Sequence, residues 1–186
     1  MTWDLPIAVE IDGKSHAIRN NCDFRVVLDV MNALNDVDLE WKYRVNCALI
    51  IFYDDIEKID NIQEAIKQMF KVINNASDEE KENNSNSPKV IDWSFDYKYI
   101  SPAISGVLGY DIRTPGKYTH WWTFLGAYSE VGSDSIISNI TSIRSKKAKG
   151  KKLEKWEEEF YREHRSIVDL PQKLTEEEQA WLNADW

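Results

Sequence analysis

Glycine and proline are scarce in this chain of 186 residues, with 7 and 5 copies. That scarcity argues against a loop-rich all-β design, which spends such residues on frequent turns. Cysteine occurs only as Cys22 and Cys47. With no Cys-x-x-Cys pair, a structural zinc site is not indicated, and both thiols read as reduced and buried. The histidines, His16, His120 and His164, are scattered and fit no zincin helix. The chain also lacks a glycine-rich phosphate loop and a nucleophile elbow. No apolar run approaches the roughly 20 residues that cross a bilayer. The longest, "CALIIFY", has the length of a core segment. The residues before the first strand do not read as a signal peptide. No enzyme activity, cofactor, metal or membrane association is expected.

Aromatic residues and charge are plentiful. Aromatics make up 12 % of the chain, with 8 tryptophans, and the formal charge is −9. The charge is uneven: residues 1–90 carry 17 acids and 10 bases, the remainder 15 and 13. An acidic total argues against a dedicated duplex-DNA binder and steers the chain toward basic or neutral partners. The length suffices for one substantial core or two small subdomains sharing one.

The N-terminus reads as a β-hairpin. Ile7, Val9 and Ile11 alternate, and Asp12-Gly13 is a type I′ turn signal. The register places Ile11 opposite Lys14, Val9 opposite His16 and Ile7 opposite Ile18. Two strands cannot bury an apolar face alone, so helices must cover it. Helical spacing predicts one helix through Phe24, Val27, Leu28, Met31 and Leu34, capped at Asn21. A second runs through Trp41, Val45, Leu49 and Phe52, capped at Asp38. A third runs through Ile62, Ala65, Ile66, Met69, Phe70 and Ile73, capped at Asp60. Residues 76–89 lack large apolar side chains and read as a linker or exposed loop. Beyond it, Asp92 caps a helix that Pro102 is expected to kink or split. Further helices contain "HWWTFLGAY", "DSIISNITSIRSKKAKG" and "KLEKWEEEFYREHRSIV", and Thr175 with Glu178 forms a capping box for the last. The expected fold is α+β and predominantly helical: a hairpin packed against about eight helices. Residues 1–75 and 90–186 form its two halves, sharing one core.

The candidate site residues fall in two places. On a helix, Trp121, Phe124, Leu125 and Tyr128 share one stripe and read as core, as do Trp156 and Phe160 further on. Trp122 is rotated about 100° away and shares its stripe with Gly126 and Ser129. The two indoles are therefore expected on different surfaces, with Trp122, over Gly126, either packing an adjoining helix or lining a groove at the surface. His120 has no carboxylate at helical spacing and reads as a first-turn histidine bonding backbone. His164 reads as solvated or salt-bridged, His16 as a half-buried strand residue, Asp54-Asp55 as a turn, and Glu157–Glu159 as a solvated face. The second place is "RSKKAKGKK", where Arg144, Lys146, Lys147, Lys149, Lys151 and Lys152 put six cations in nine residues. A helix C-terminus accounts for two or three of them. The surplus implies an anionic partner, nucleic acid or an acidic protein surface.

These residues also carry a resemblance. "VLGYDIRTPGKYTHWWTFLGAY" and "IRSKKAKGKKLEKWEEEFYREHRSIVDL" are similar to the signature of a siphophage family encoded just upstream of the tail tape-measure gene. "CDFRVVLDVMNAL" resembles the N-terminal half of that family. Trp121, Trp122, Lys146, Lys147, Lys149, Lys151, Lys152, Trp156 and Tyr161 match its motif positions. The resemblance implies a tail assembly chaperone without catalytic residues. Such a protein coats the tape-measure protein in the host bacterial cytoplasm, gives way to tail-tube subunits and is absent from the finished virion. Self-association or a companion chaperone product is compatible with it. The expected contacts are Trp122 and the cations of residues 144–152. The alternative is a nucleic-acid-associated phage protein using that basic loop.

Overall fold

The computed structural model describes residues 4–75 and 89–171. Most of the expected 76–89 segment and the capping box at Thr175 and Glu178 lie outside the described residues. Two short strands, β1 (Ala8–Ile11) and β2 (Lys14–Ala17), pair antiparallel. Eight α-helices follow among the described residues: α1 (Phe24–Asn35), α2 (Trp41–Phe52), α3 (Ile62–Ile73), α4 (Trp93–Leu108), α5 (Trp121–Ser129), α6 (Ile136–Ala148), α7 (Lys155–Glu163) and α8 (Arg165–Val168). The fold is α+β and predominantly helical, as the periodicity indicated.

The hairpin takes the register that its turn chemistry dictates. Ile11 pairs with Lys14 and Val9 with His16, and Ile18 N–H donates to the Ile7 carbonyl at 2.9 Å. Asp12 and Gly13 both have positive φ, 51° and 76°, as a type I′ turn requires.

The described residues divide into two compact units. One holds residues 4–75 and 101–131; the other holds 89–100 and 132–171. In the first, β1 packs on α3, and α1 packs on both α2 and α5. Its core includes Val27, Val30, Leu49, Phe52, Met69, Trp121 and Phe124. In the second, Ile140, Ile143 and Val168 are buried together, with Tyr99, Leu153, Phe160, Tyr161 and Ile167 against them.

Several local features depart from the expected pattern. The cap of α1 is Asp23, not Asn21: its carboxylate accepts from Arg25 N–H at 3.0 Å. The cap of α3 is Asn61 rather than Asp60. Helix α2 starts after Glu40, beyond Asp38, with no side-chain cap. Helix α4 is not split into two at Pro102, which lies inside it. Ile100 and Ile104, on either side of the proline, are buried. The long helix expected near the C-terminus breaks at His164, whose φ of −120° is not helical, giving α7 and α8.

Candidate functional site

The paired tryptophans open α5, and His120 caps it. The His120 Nδ1 accepts from Trp122 N–H at 3.0 Å. That fixes the proton on Nε2, which donates to the Pro6 carbonyl at 3.0 Å. Both ring nitrogens are thus committed to backbone, leaving none for proton transfer. Burial pushes the His120 pKa below its usual 6.5, against smaller opposing effects of the Pro6 bond and Asp23.

The start of α5 is laced to the start of α1. Trp121 N–H donates to the Cys22 carbonyl at 2.9 Å, Phe24 N–H to Thr119 at 2.9 Å, and Thr119 N–H to the Asp23 carboxylate at 3.1 Å. Asn20, Asn21 and Cys22 all have positive φ, an uncommon run for residues with a Cβ. The cross-links hold it: Tyr118 Oη donates to the Asn21 carbonyl at 2.8 Å. Phe124 stacks on Phe24 at 4.6 Å and on Trp121 at 5.5 Å.

The two indoles do not diverge. Trp121 Nε1 donates to Ile73 O at 2.9 Å, and Trp122 Nε1 to Val72 O at 2.8 Å. Both therefore end on successive carbonyls at the C-terminus of α3. An indole is long enough to converge on neighbouring carbonyls from positions 100° apart, and the Val72 carbonyl also accepts from Asn75 N–H at 3.1 Å. Trp121 is buried and Trp122 half-buried. Leu125 and Tyr128 are half-buried as well. This stretch is a clamp between helices.

The basic run also proves heterogeneous. Arg144 is buried, where a partner contact was expected. Its guanidinium holds the buried Asp96 carboxylate at 2.6 and 2.9 Å and donates to the carbonyls of Val90, Ile167 and Val168. Lys146 reaches both oxygens of Glu157 at 2.7 and 2.8 Å. Glu157 is fully buried, not part of a solvated face, and also accepts from Glu154 N–H. It follows Leu153 and precedes Phe160 on the inward stripe of α7, which rotates Trp156 outward to 47 % exposure. Lys147 pairs with Asp169 at 2.6 Å and lies over the Tyr161 ring. A left-handed Gly150 ends α6, with Lys151 N–H donating to Lys146 O and Gly150 N–H to Lys147 O, a Schellman cap. Lys149, Lys151 and Lys152 are exposed and in no salt bridge among the described residues.

Sequence reasoning missed a third feature. Val37, Leu39, Trp41 and Tyr43 occupy alternate positions in one exposed run, and Trp41, Tyr43 and Ile50 are 61, 55 and 56 % exposed. Val45, Leu49 and Phe52 carry the buried stripe of α2. Trp41, expected with them, stands at the first helical position, outside the packed turns. Tyr43, Cys47 and Ile50 form a second stripe at i, i+4 and i+7, on which Cys47 is half-buried. "WKYRVNCALIIF" is apolar on two faces, which was the available signal. Arg19 anchors the far end of α2, donating to the carbonyls of Ile50, Ile51 and Tyr53.

Elsewhere, His16 is buried, 3.5 Å from Asp55, and His164 is exposed with its ring against Phe160. Among the described residues no group of three or more His, Cys, Asp or Glu side chains is arranged to hold a metal ion. No described helix is long and apolar enough to cross a membrane.

A family model described as Bacteriophage Gp15 protein matches residues 1–170. The chain belongs to the bacteriophage Gp15 protein family. The match spans the hairpin, the tryptophan clamp, the basic run and the exposed face of α2, so every feature of this Gp15-family protein described above lies within the family region. No curated protein and no solved structure matches the chain.

Proposed function

We propose that this Gp15-family protein is a non-enzymatic tail assembly chaperone. It binds the tape-measure protein in the host cytoplasm, keeps it soluble and helps recruit tail-tube subunits before leaving the assembled virion. Membership of a phage family supports the setting, and the resemblance of residues 107–170 supports the tail role. The observation that carries client binding is the exposed apolar stripe of α2 through Tyr43, Cys47 and Ile50, with Tyr43 and Ile50 open to solvent and Trp41 exposed at the first helical position. Large apolar side chains left exposed along one helix stripe mark an interaction surface. Lys149, Lys151 and Lys152 are the cations left for a second contact, with client or tube subunit. The Trp122 indole is committed to α3 and serves the clamp.

A nucleic-acid role through residues 144–152 has less support, because Arg144, Lys146 and Lys147 spend their charge on Asp96, Glu157 and Asp169. The deciding experiment is co-expression with the tape-measure protein from the same phage. The client should be soluble and co-purify with this protein, and aggregate without it. A client equally soluble alone, or salt-sensitive retardation of DNA by this protein with no client binding, overturns the reading.

A further inference from the structure

The exposed apolar residues near α2 sit among acids, of which Asp36 accepts from Asp38 N–H at 3.0 Å. Asp36, Asp38 and Glu40 alternate with Val37, Leu39 and Trp41, all six exposed. None of the three carboxylates is in a salt bridge among the described residues. Residues 26–41 hold four acids and no base. The cations that follow in sequence are Lys42 and Arg44, and Arg44 donates to the Leu39 carbonyl. The start of α2 and the segment before it therefore offer exposed large apolar side chains beside three exposed carboxylates.

We infer that this face docks an amphipathic helix of another protein whose apolar stripe is flanked by lysine or arginine. The inference rests on the chaperone reading only in taking the partner to be a protein client. The apolar contacts supply affinity, and the carboxylates supply orientation and salt dependence. Charge disfavours a second copy as the occupant, because a twofold contact would bring two sets of these carboxylates together.

Cys47 reports on the site, since it lies between Tyr43 and Ile50 on the same stripe. Cys22 is fully buried, and burial pushes its thiol up to about 12, so Cys47 is the reactive one. The probe is a synthetic 20-residue amphipathic helix with a leucine stripe and lysine flanks, offered to the full chain. It should slow iodoacetamide alkylation of Cys47 about fivefold or more, and added salt should reverse this. The same peptide with glutamate flanks should give no protection. The triple variant Trp41→Ser, Tyr43→Ser, Ile50→Ser should bind the lysine peptide at least tenfold more weakly, with an unchanged circular dichroism spectrum. The variant Asp36→Asn, Asp38→Asn, Glu40→Gln should lose the salt dependence. Equal protection by both peptides, or undiminished binding to the serine variant, overturns the inference. So does protection of Cys47 that rises with protein concentration alone, which makes a second copy the occupant. If the peptide fails while co-expression still solubilises the tape-measure protein, the α2 surface is wrong and the chaperone reading stands.

Discussion

Arg144 and Lys149 belong to the same basic run, yet one is interior and the other is solvated. A guanidinium with five donors suits the convergence of a carboxylate and three carbonyls, where a lysine has three. Removing one partner of a buried pair leaves an uncompensated charge. Arg144→Ala should therefore lower stability by about 3–5 kcal/mol in urea unfolding. Lys149→Ala, Lys151→Ala and Lys152→Ala should each stay within about 0.5 kcal/mol. The run was legible in sequence as charge; its division was not, because Asp96 lies far away in the chain. His120 makes the matching case for titration. Its folded pKa lies below the ordinary 6.5, so its contribution to stability is complete above pH 6.5 and is lost as pH falls through the folded pKa. In an NMR titration the His120 imidazole should protonate below pH 6.5; a midpoint above it contradicts the buried neutral cap.

Helices were legible where one face was apolar and the other polar. Helix α3 is such a case, and the hairpin is fixed by Asp12-Gly13. Helix α2 was only half legible: its buried stripe follows from spacing, but spacing does not say that the second stripe stays uncovered. The α7–α8 break at His164 was hidden inside a charged run that reads as continuous helix. Trp121 as core and Trp122 against an adjoining helix were legible, but their convergence on one helix end was not, because stripe geometry follows Cβ directions whereas hydrogen bonding follows the reach of the indole nitrogen. Trp121→Phe removes the hydrogen bond to the buried Ile73 carbonyl, which should cost about 1–3 kcal/mol in thermal or urea unfolding. Trp122→Phe, at a half-buried site that water can reach, should cost less.

Across the molecule, the second unit holds three carboxylates with depressed pKa values. Burial pushes Asp92, Glu157 and Asp169 up, but hydrogen bonds outweigh it and hold each below the usual range. The chief donors are Lys89 to Asp92, Lys146 to Glu157, and Lys147 and Tyr161 to Asp169. Their stabilisation is present above roughly pH 4 and lost as pH falls through the depressed values. Residue-resolved hydrogen exchange should show weakening around α6 and α7 only in that acid range. The first unit carries the outward-facing apolar surface, and an acidic chain keeps such a surface from aggregating while favouring a basic partner. The central claim is that this surface holds the client. It is tested most directly by co-expressing the tape-measure protein with the Trp41→Ser, Tyr43→Ser, Ile50→Ser variant and measuring the soluble fraction of client at matched chaperone yield. The account predicts a soluble client with the native chain and an aggregated client with the variant. An equally soluble client with both contradicts it.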